Sequence, residues 1–287
     1  MDSMQAGGQA GLWNGDAGHA WVEEQAVIEE MFRSIEAMLA AAVMADEGTR
    51  VLDVGCGTGA TTLALARRLG PGAHCVGVDI AEPMVAAARR RAAQEGVAAD
   101  FLCADAQRHP FAPGSVDWIV SRFGVMFFDD PVAAFANLRR AARAGGQLCF
   151  VAWRGPEDNP FMTAAERAAR PLLPDLPPRL PDEAGQFGFA RAAYVREVLG
   201  QAGWEAVRIE PVDLACSFPE AALPGYLARM GPVGRALATL DAPLRERVLA
   251  LVRPAFEPYV GAGRVAFTAA CWRVRARAGS APQASGM

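Results

Sequence analysis

The stretch VLDVGCGTGATTLALARRLG, from Val51 to Gly70, sets the organisation of the whole chain. Residues 51–54 are mostly apolar and predict a short buried strand, and residues 60–69 predict a helix that stops at Gly70. Alternating glycines separate the two elements. A glycine turn that opens a helix lets backbone N–H groups and the helix dipole approach a ligand closely. The stretch therefore predicts a ligand-binding turn between a strand and a helix.

Acidic residues accompany three successive predicted strands. Asp53 lies in the first strand, Asp79 ends the apolar segment 74–78, and Asp105 follows residues 100–103. An acid about twenty residues beyond a glycine turn is where nucleotide-binding α/β folds hold a ribose. Because the carboxyl ends of parallel strands meet at one sheet edge, the three acids predict a nucleotide-like ligand at that edge.

The pattern Asp-x-Gly-x-Gly-x-Gly at residues 53–59 resembles motif I of the class I S-adenosylmethionine (SAM) methyltransferases. A dinucleotide fingerprint more often reads Gly-x-Gly-x-x-Gly and lacks the leading acid. From about Arg50 to Trp153 the chain is similar to the small-molecule, UbiE-like branch of that superfamily, with weaker similarity in the N-terminal arm and after Phe187. The resemblance implies SAM as cofactor and S-adenosylhomocysteine as product.

The resemblance also implies a role for each residue around the cofactor. The glycines run beside the ribose and methionyl groups, the first acid faces the methionine amino group, the second accepts the ribose hydroxyls, and the third meets adenine. Carried over to this chain, the cofactor-binding residues are Asp53, Gly55, Cys56, Gly57, Gly59, Asp79, Ile80, Met84, Asp105, Ala106 and Ser121. Ala81 stands where the family favours Ser or Thr, which predicts that a helix-capping hydrogen bond is missing there.

Aromatic residues near the predicted sheet edge suggest a methyl-acceptor pocket. The candidates lie in the N-terminal arm, in the loop SRFGVMFFDDP and at the end of the fifth strand: Trp13, Trp21, Phe123, Met126, Phe127 and Trp153. Desolvated aromatic faces stabilise a cation by up to about 2 kcal/mol, although such residues also serve as plain packing. The sequence offers no convincing general base. His19 is a weak catalytic candidate, since a lone histidine is more often structural.

The alternation of strands and helices after Arg50 predicts an α/β fold with a Rossmann-like, doubly wound sheet. The resemblance implies seven strands, the last of them antiparallel, and an arm that folds over the cofactor as a lid. Residues 1–48 are predicted as arm and lid helix, with a mobile leader over 1–11 and one amphipathic helix over 28–43. Residues 49–275 form the SAM-binding domain, capped by helices at about 156–200 and 215–262, and residues 276–287 form a disordered tail.

The composition limits the alternatives. The 287 residues are 52% hydrophobic and carry a net charge of −4, which suits a globular protein and argues against a broad nucleic-acid surface. No apolar run approaches the ~18 residues of a membrane span, and the start of the chain lacks a secretory signal. The six scattered cysteines and three unclustered histidines predict a reduced, cytoplasmic protein without a metal site.

The sequence thus predicts a SAM-dependent methyltransferase that transfers a methyl group to a small, hydrophobic or aromatic metabolite by in-line displacement. It predicts no membrane or nucleic-acid partner and a monomer or homodimer. Three alternatives stay open at this point. They are a methyltransferase acting on RNA or protein, a nicotinamide-dependent oxidoreductase, and a SAM-binding protein that has lost catalysis.

Overall fold

A computed structural model describes residues 8–44 and 46–279 of the chain. Its strands are β1 (Arg50–Val54), β2 (His74–Asp79), β3 (Asp100–Cys103), β4 (Val116–Arg122), β5 (Ala142–Trp153), β6 (Trp204–Pro219), β7 (Val260–Gly261) and β8 (Arg264–Ala278). They form one sheet in the order β3-β2-β1-β4-β5-β8-β6, with β7 paired to β8. Strands β1 to β5 are parallel, and β8 runs antiparallel to both its neighbours. The Rossmann-like sheet with an antiparallel last strand is confirmed, with the two-residue β7 as an addition.

Twelve α-helices surround this sheet within the described residues. They are α1 (Gly8–Asn14), α2 (Asp16–Glu23), α3 (Gln25–Met31), α4 (Arg33–Ala42), α5 (Ala60–Leu69), α6 (Glu82–Glu95), α7 (Pro131–Ala141), α8 (Pro160–Ala169), α9 (Ala192–Gln201), α10 (Leu223–Arg229), α11 (Gly231–Thr239) and α12 (Ala242–Val252). Helices α5, α6 and α7 connect successive parallel strands. Helices α8 and α9 lie between β5 and β6 in the chain, and α10 to α12 lie between β6 and β8.

Helix starts follow the local signals in the sequence. The Asp130 side chain accepts a hydrogen bond from the Ala133 N–H at 3.0 Å, and Pro131 takes the first helical position of α7. Asn159 precedes α8, and its buried amide binds the N–H and C=O of Ala270 in β8, both at 2.9 Å. Both segments therefore act as helix starts, as their sequences predict.

The N-terminal arm differs from the sequence prediction. Helix α1 already begins at Gly8, so a mobile leader is wrong for residues 8–11, and residues 1–7 lie outside the described part of the chain. The single helix predicted over 28–43 is divided between α3 and α4, because Phe32 leaves the helical conformation at φ −103° and ψ 18°. The apolar face is nevertheless correct, since its main members are buried: Ile28, Met31, Ile35 and Leu39.

The C-terminal end also differs. Strand β8 extends to Ala278 and pairs there with Trp204 of β6, so the predicted disordered tail is wrong for residues 276–278. Residues 280–287 lie outside the described part of the chain. Across the ranges 8–44 and 46–279, no helix combines the length and apolarity that crossing a membrane requires. Within the same ranges, no three His, Cys, Asp or Glu side chains converge as metal ligands would.

Candidate functional site

A cavity of about 110 Å³ lies at the carboxyl ends of β1 to β4, and we call it the strand-end cavity. The ends of three strands bring predicted cofactor residues to its wall: Gly55, Cys56 and Gly57 after β1, Asp79 and Ile80 at the end of β2 with Met84 in the first turn of α6, and Asp105 and Ala106 after β3. Asp53, Gly59 and Ser121 do not line it. Ligands of open α/β sheets bind at this edge.

The glycine turn shapes the floor of the strand-end cavity. Gly55 has a φ of +68°, and a Cβ atom there would lie 2.5 Å from the Cα of Gly124, so the turns after β1 and β4 touch through their backbones. Gly57 has a φ of +54°, and its Cβ would meet only Trp21 at 3.7 Å and Met84 at 3.8 Å. A side chain at residue 57 would occupy space that the cavity leaves for a ligand.

Asp79 fixes this turn and still faces the cavity. Its Oδ2 accepts the Gly57 N–H at 2.8 Å, and its Oδ1 accepts the Ala81 N–H at 2.9 Å. Burial raises the pKa of Asp79, and the hydrogen bonds from Ala81, Gly57 and Ile80 oppose that rise. Each carboxylate oxygen has capacity for a further hydrogen bond, so Asp79 can accept hydroxyl donors from a ligand in the cavity.

Asp53 lies beneath the glycine turn and is only 1% exposed. Its Oδ2 accepts a hydrogen bond from the Thr62 hydroxyl at 2.7 Å, and its Oδ1 is buried without a partner among the described residues. Burial raises the pKa of Asp53 to about 6, against the opposing effects of Thr62 and the charge of Arg122. The structure therefore places Asp53 under the site rather than on its wall.

Gly59 and Ser121 serve the framework around the cavity. A Cβ atom at Gly59 would lie 2.9 Å from the ring of Phe101, so this glycine allows close packing behind the turn. The fully buried Ser121 hydroxyl donates to the Val54 carbonyl at 2.7 Å and accepts the Val125 N–H at 3.3 Å. These contacts fasten the turn after β4 to the end of β1.

Arg122 lines the strand-end cavity and was missed by sequence reasoning. Its Nη1 is buried without a hydrogen-bond partner among residues 8–44 and 46–279, and its guanidinium lies 5.9 Å from the centre of the Phe32 ring. Desolvation lowers the pKa of Arg122, and the charges of Glu36 and Asp53 oppose this. The available signal was a lone charge in the mostly apolar run from Val120 to Phe128. An unpaired buried cation suits an anionic group of a ligand.

A second cavity, of about 320 Å³, lies under the N-terminal arm, and we call it the arm cavity. All six predicted pocket residues line it: Trp13, Trp21, Phe123, Met126, Phe127 and Trp153. The Trp13 ring meets those of Trp21 and Phe127 edge-on at 5.8 and 5.1 Å, and Phe123 stacks on Trp153 at 4.5 Å. His19 is exposed, binds the Gly15 carbonyl at 3.0 Å and lines neither cavity.

The backbone of Phe123 is held in a conformation that non-glycine residues rarely adopt. Its φ is +69°, in the left-handed region. Residues held there cost about 1–3 kcal/mol and cluster at functional sites. Stacking on Trp153 and an edge-on contact with Phe32 at 5.4 Å hold the ring in place. This strained residue lines both cavities.

Asn14 of α1 fastens the arm to the strand-end cavity. Its Oδ1 accepts the Glu82 N–H at 2.9 Å at the start of α6, and its Nδ2 donates to the Ile80 carbonyl at 3.0 Å. Ala81 makes no side-chain cap, as its sequence predicts. The prediction of a missing side-chain cap at residue 81 is thus confirmed. Asn14 instead supplies an acceptor for a different first-turn donor, the Glu82 N–H.

The comparisons with known proteins agree with this geometry. A family model described as a methyltransferase domain matches residues 51–146. The chain is 31% identical over 210 residues to nocamycin O-methyltransferase of Saccharothrix syringae, and the match covers 69% of this chain and 74% of that protein.

Two further comparisons show how much of a relative's length the chain covers and which fold it shares. An uncharacterised protein of Mycobacterium tuberculosis is 35% identical over 173 residues, and the match spans 60% of each chain. The chain thus covers less than two thirds of that relative's length. The crystal structure of the YcgJ protein of Bacillus subtilis superposes with a TM-score of 0.56 at 18% identity, over 86% of this chain and 98% of that one. The domain match and the nocamycin relative establish the family: this chain belongs to the class I S-adenosylmethionine-dependent methyltransferases, whose cofactor is SAM.

Proposed function

We propose that the protein methylates a small, largely apolar molecule. The observation that carries the proposal is the common wall of the two cavities. Trp13, Trp21, Phe123 and Phe127 line both the strand-end cavity and the arm cavity, so ligands of the two would meet at this aromatic wall. Related chains include a named O-methyltransferase, which supports a small-molecule acceptor.

The residues of the strand-end cavity fit the cofactor. Asp79 has acceptor capacity for a ribose diol, and Arg122 offers an unpaired guanidinium to the methionine carboxylate. Asp105 and Ala106 follow β3 on the same wall, where they suit the adenine. The space beside Gly57 leaves room for the chain of the ligand. When bound, SAM supplies a methyl group on a positively charged sulfur, and the transfer leaves the neutral thioether S-adenosylhomocysteine.

The protein's own contribution is placement and exclusion of water. Holding two reactants in line supplies about 7–11 kcal/mol in favourable cases. No histidine among the described residues lines either cavity, and burial raises the pKa of Tyr226 to about 12, which keeps this phenol protonated near neutral pH. An acceptor that arrives ionised, or with a free lone pair, needs no general base.

Several arginines that the sequence places on outer helices have protein partners, which does not favour an RNA substrate. Arg89 and Arg91 of α6 bind the Phe101 carbonyl and Glu29, and Arg143, which lies in β5 rather than on a helix, pairs with Asp117. Phosphate binding needs cations that are free to contact a backbone. We therefore prefer a small acceptor to RNA, and the family assignment favours SAM over a nicotinamide cofactor.

Calorimetric titration with S-adenosylhomocysteine, and with NADH in parallel, tests the cofactor part of the proposal. We expect saturable binding of S-adenosylhomocysteine and none of NADH. Binding of NADH alone would contradict it. The acceptor part is tested with methyl-labelled SAM and a cell extract divided into a small-molecule fraction and a macromolecular fraction. Label in the small-molecule fraction is expected, whereas label confined to RNA or protein would overturn the small-acceptor proposal.

A further inference from the structure

The arm cavity has an apolar part and a charged part. The apolar part is the aromatic wall shared with the strand-end cavity. The segments 177–186 and 226–235 line the arm cavity alone, and they contribute three arginines: Arg179, Arg229 and Arg235. The cations therefore lie away from the wall at which the two ligands would meet.

Two of these arginines have carboxylate partners. Arg229 binds Glu24 at 2.6 Å and Glu23 at 3.0 Å, so acids of the arm already balance its charge. Arg179 pairs with Glu166 of α8 and donates to the Gln186 side chain, and its Nε is buried without a partner in the described part of the chain. One buried N–H of Arg179 thus lacks an acceptor.

Arg235 of α11 makes no hydrogen bond or ion pair with any residue that the structure describes, and it is half-buried. Desolvation lowers its pKa, as does the neighbouring charge of Arg179, and the charge of Glu166 opposes both effects. Arg179 and Arg235 carry two positive charges against the one carboxylate of Glu166, so this part of the wall has a net positive charge. Glu183 also lines the cavity, but its side chain is exposed, and water screens its charge.

Tyr226 adds a neutral donor to the same cluster. It lines the arm cavity, and its hydroxyl has no hydrogen-bond partner within residues 8–44 and 46–279. Arg179 and Arg235 line the same cavity, and the Arg179 guanidinium lies near Gly231, one helical turn before Arg235 in α11. Its phenol is protonated at neutral pH and can donate to an anion that the arginines attract.

We propose that the methyl acceptor is an apolar, aromatic carboxylic acid whose carboxylate binds Arg235, Arg179 and Tyr226 while its ring lies against the aromatic wall. An unpaired guanidinium in a desolvated wall binds a planar carboxylate through paired N–H donors. A buried charge that the protein leaves uncompensated favours a ligand that compensates it. The inference rests on the function proposed above, because it takes the arm cavity as the acceptor site.

The test uses the full-length protein saturated with S-adenosylhomocysteine and three probes of nearly equal shape. They are naphthoate, which is anionic, naphthamide, which is neutral, and naphthylmethylamine, which is cationic. Calorimetry should show that naphthoate binds about tenfold or more tightly than naphthamide, since hydrogen bonds to charged groups discriminate at least that well. R235Q should remove this preference, and R235K should keep part of it. R247Q, which changes an exposed arginine of α12, should leave the preference unchanged.

The outcomes separate this inference from the proposed function. A chain that fails to bind S-adenosylhomocysteine contradicts the proposed function itself. In a chain that does bind it, equal affinity for acid and amide, tighter binding of the amine, or no binding of the acid would each overturn the carboxylate inference. Binding of S-adenosylhomocysteine to R235Q shows that the variant is folded, and the wild-type preference tests the inference even if that variant does not fold.

Discussion

The two cavities are built in different ways. Apart from three arm residues, the strand-end cavity is lined by residues 54–128, at the ends of neighbouring strands and in the turns that follow them. The arm cavity combines six separate parts of the chain: the arm, the loop after β4, Trp153 at the end of β5, Met162 of α8, and the segments 177–186 and 226–235. A cofactor common to a family can be bound by a local site of the first kind. The acceptor site depends on side chains that only the complete fold brings together, so it can change without disturbing the first site.

The substitution expected to damage the strand-end cavity most is Asp79→Ala. It removes an acceptor from the ribose and frees the N–H groups of Gly57 and Ala81. We expect the affinity for S-adenosylhomocysteine to fall by about 3 kcal/mol, the scale of lost charge-assisted hydrogen bonds, as measured by calorimetry. Asp100→Ala, at an exposed acid of β3, is the matched control. Equal effects of the two substitutions on affinity would contradict a role for Asp79 in cofactor binding.

The pH dependence of stability tests whether the buried Asp53, beneath the strand-end cavity, is ionised at neutral pH. Burial raises its pKa from 3.8 to about 6, so between these values the folded chain binds more protons than the unfolded one. Stability from this group is complete below pH 3.8 and falls as the pH rises through 6. Relative to Asp53→Asn, the unfolding free energy of the parent should fall by about 2 kcal/mol from pH 4 to pH 7. Parallel curves from denaturant melts would contradict the buried ionised state.

Arg122→Gln tests which part of the cofactor this side chain contacts. We propose that this side chain binds the methionine carboxylate, so the variant should bind S-adenosylhomocysteine more weakly by about 2 kcal/mol. Methylthioadenosine has the same nucleoside but lacks the carboxylate, and its affinity should not change. If both ligands weaken equally, Arg122 supports the shape of the cavity rather than the carboxylate.

Asn14→Ala has the smallest expected effect on stability, and it breaks the hydrogen bonds between the arm and the start of α6. It removes the acceptor of the Glu82 N–H and the donor to the Ile80 carbonyl, and hydrogen bonds of this kind are worth about 1 kcal/mol each. Thermal unfolding should shift slightly, while protease cleavage within α1 and α2 should become faster. Asn14→Asp keeps an acceptor for the Glu82 N–H and should restore much of the protection. Unchanged cleavage in the alanine variant would show that other contacts hold the arm.

The difference between the two cavities also explains how much of the fold and of the candidate site could be predicted from the sequence. The sheet and the turns at Gly55, Asp79 and Asp105 were predictable, because strand alternation and glycine spacing are local signals. The position of Asp53 under the turn was not, since depth in the protein depends on how Thr62 and Arg122 pack around it. The cluster of Arg179, Tyr226 and Arg235 was hidden as well, because it joins two insertions far apart in the chain. The residues of this cluster become neighbours only when the chain folds.

The hydrogen bond between Asn14 and the start of α6 has a consequence for engineering. The Asn14 side chain supplies an acceptor for the Glu82 N–H at the start of α6, and it belongs to the arm that lines both cavities. Opening of covering segments sets the turnover of many enzymes. We therefore expect the rate of ligand exchange in this protein to be adjustable at Asn14, an exposed residue that itself lines neither cavity.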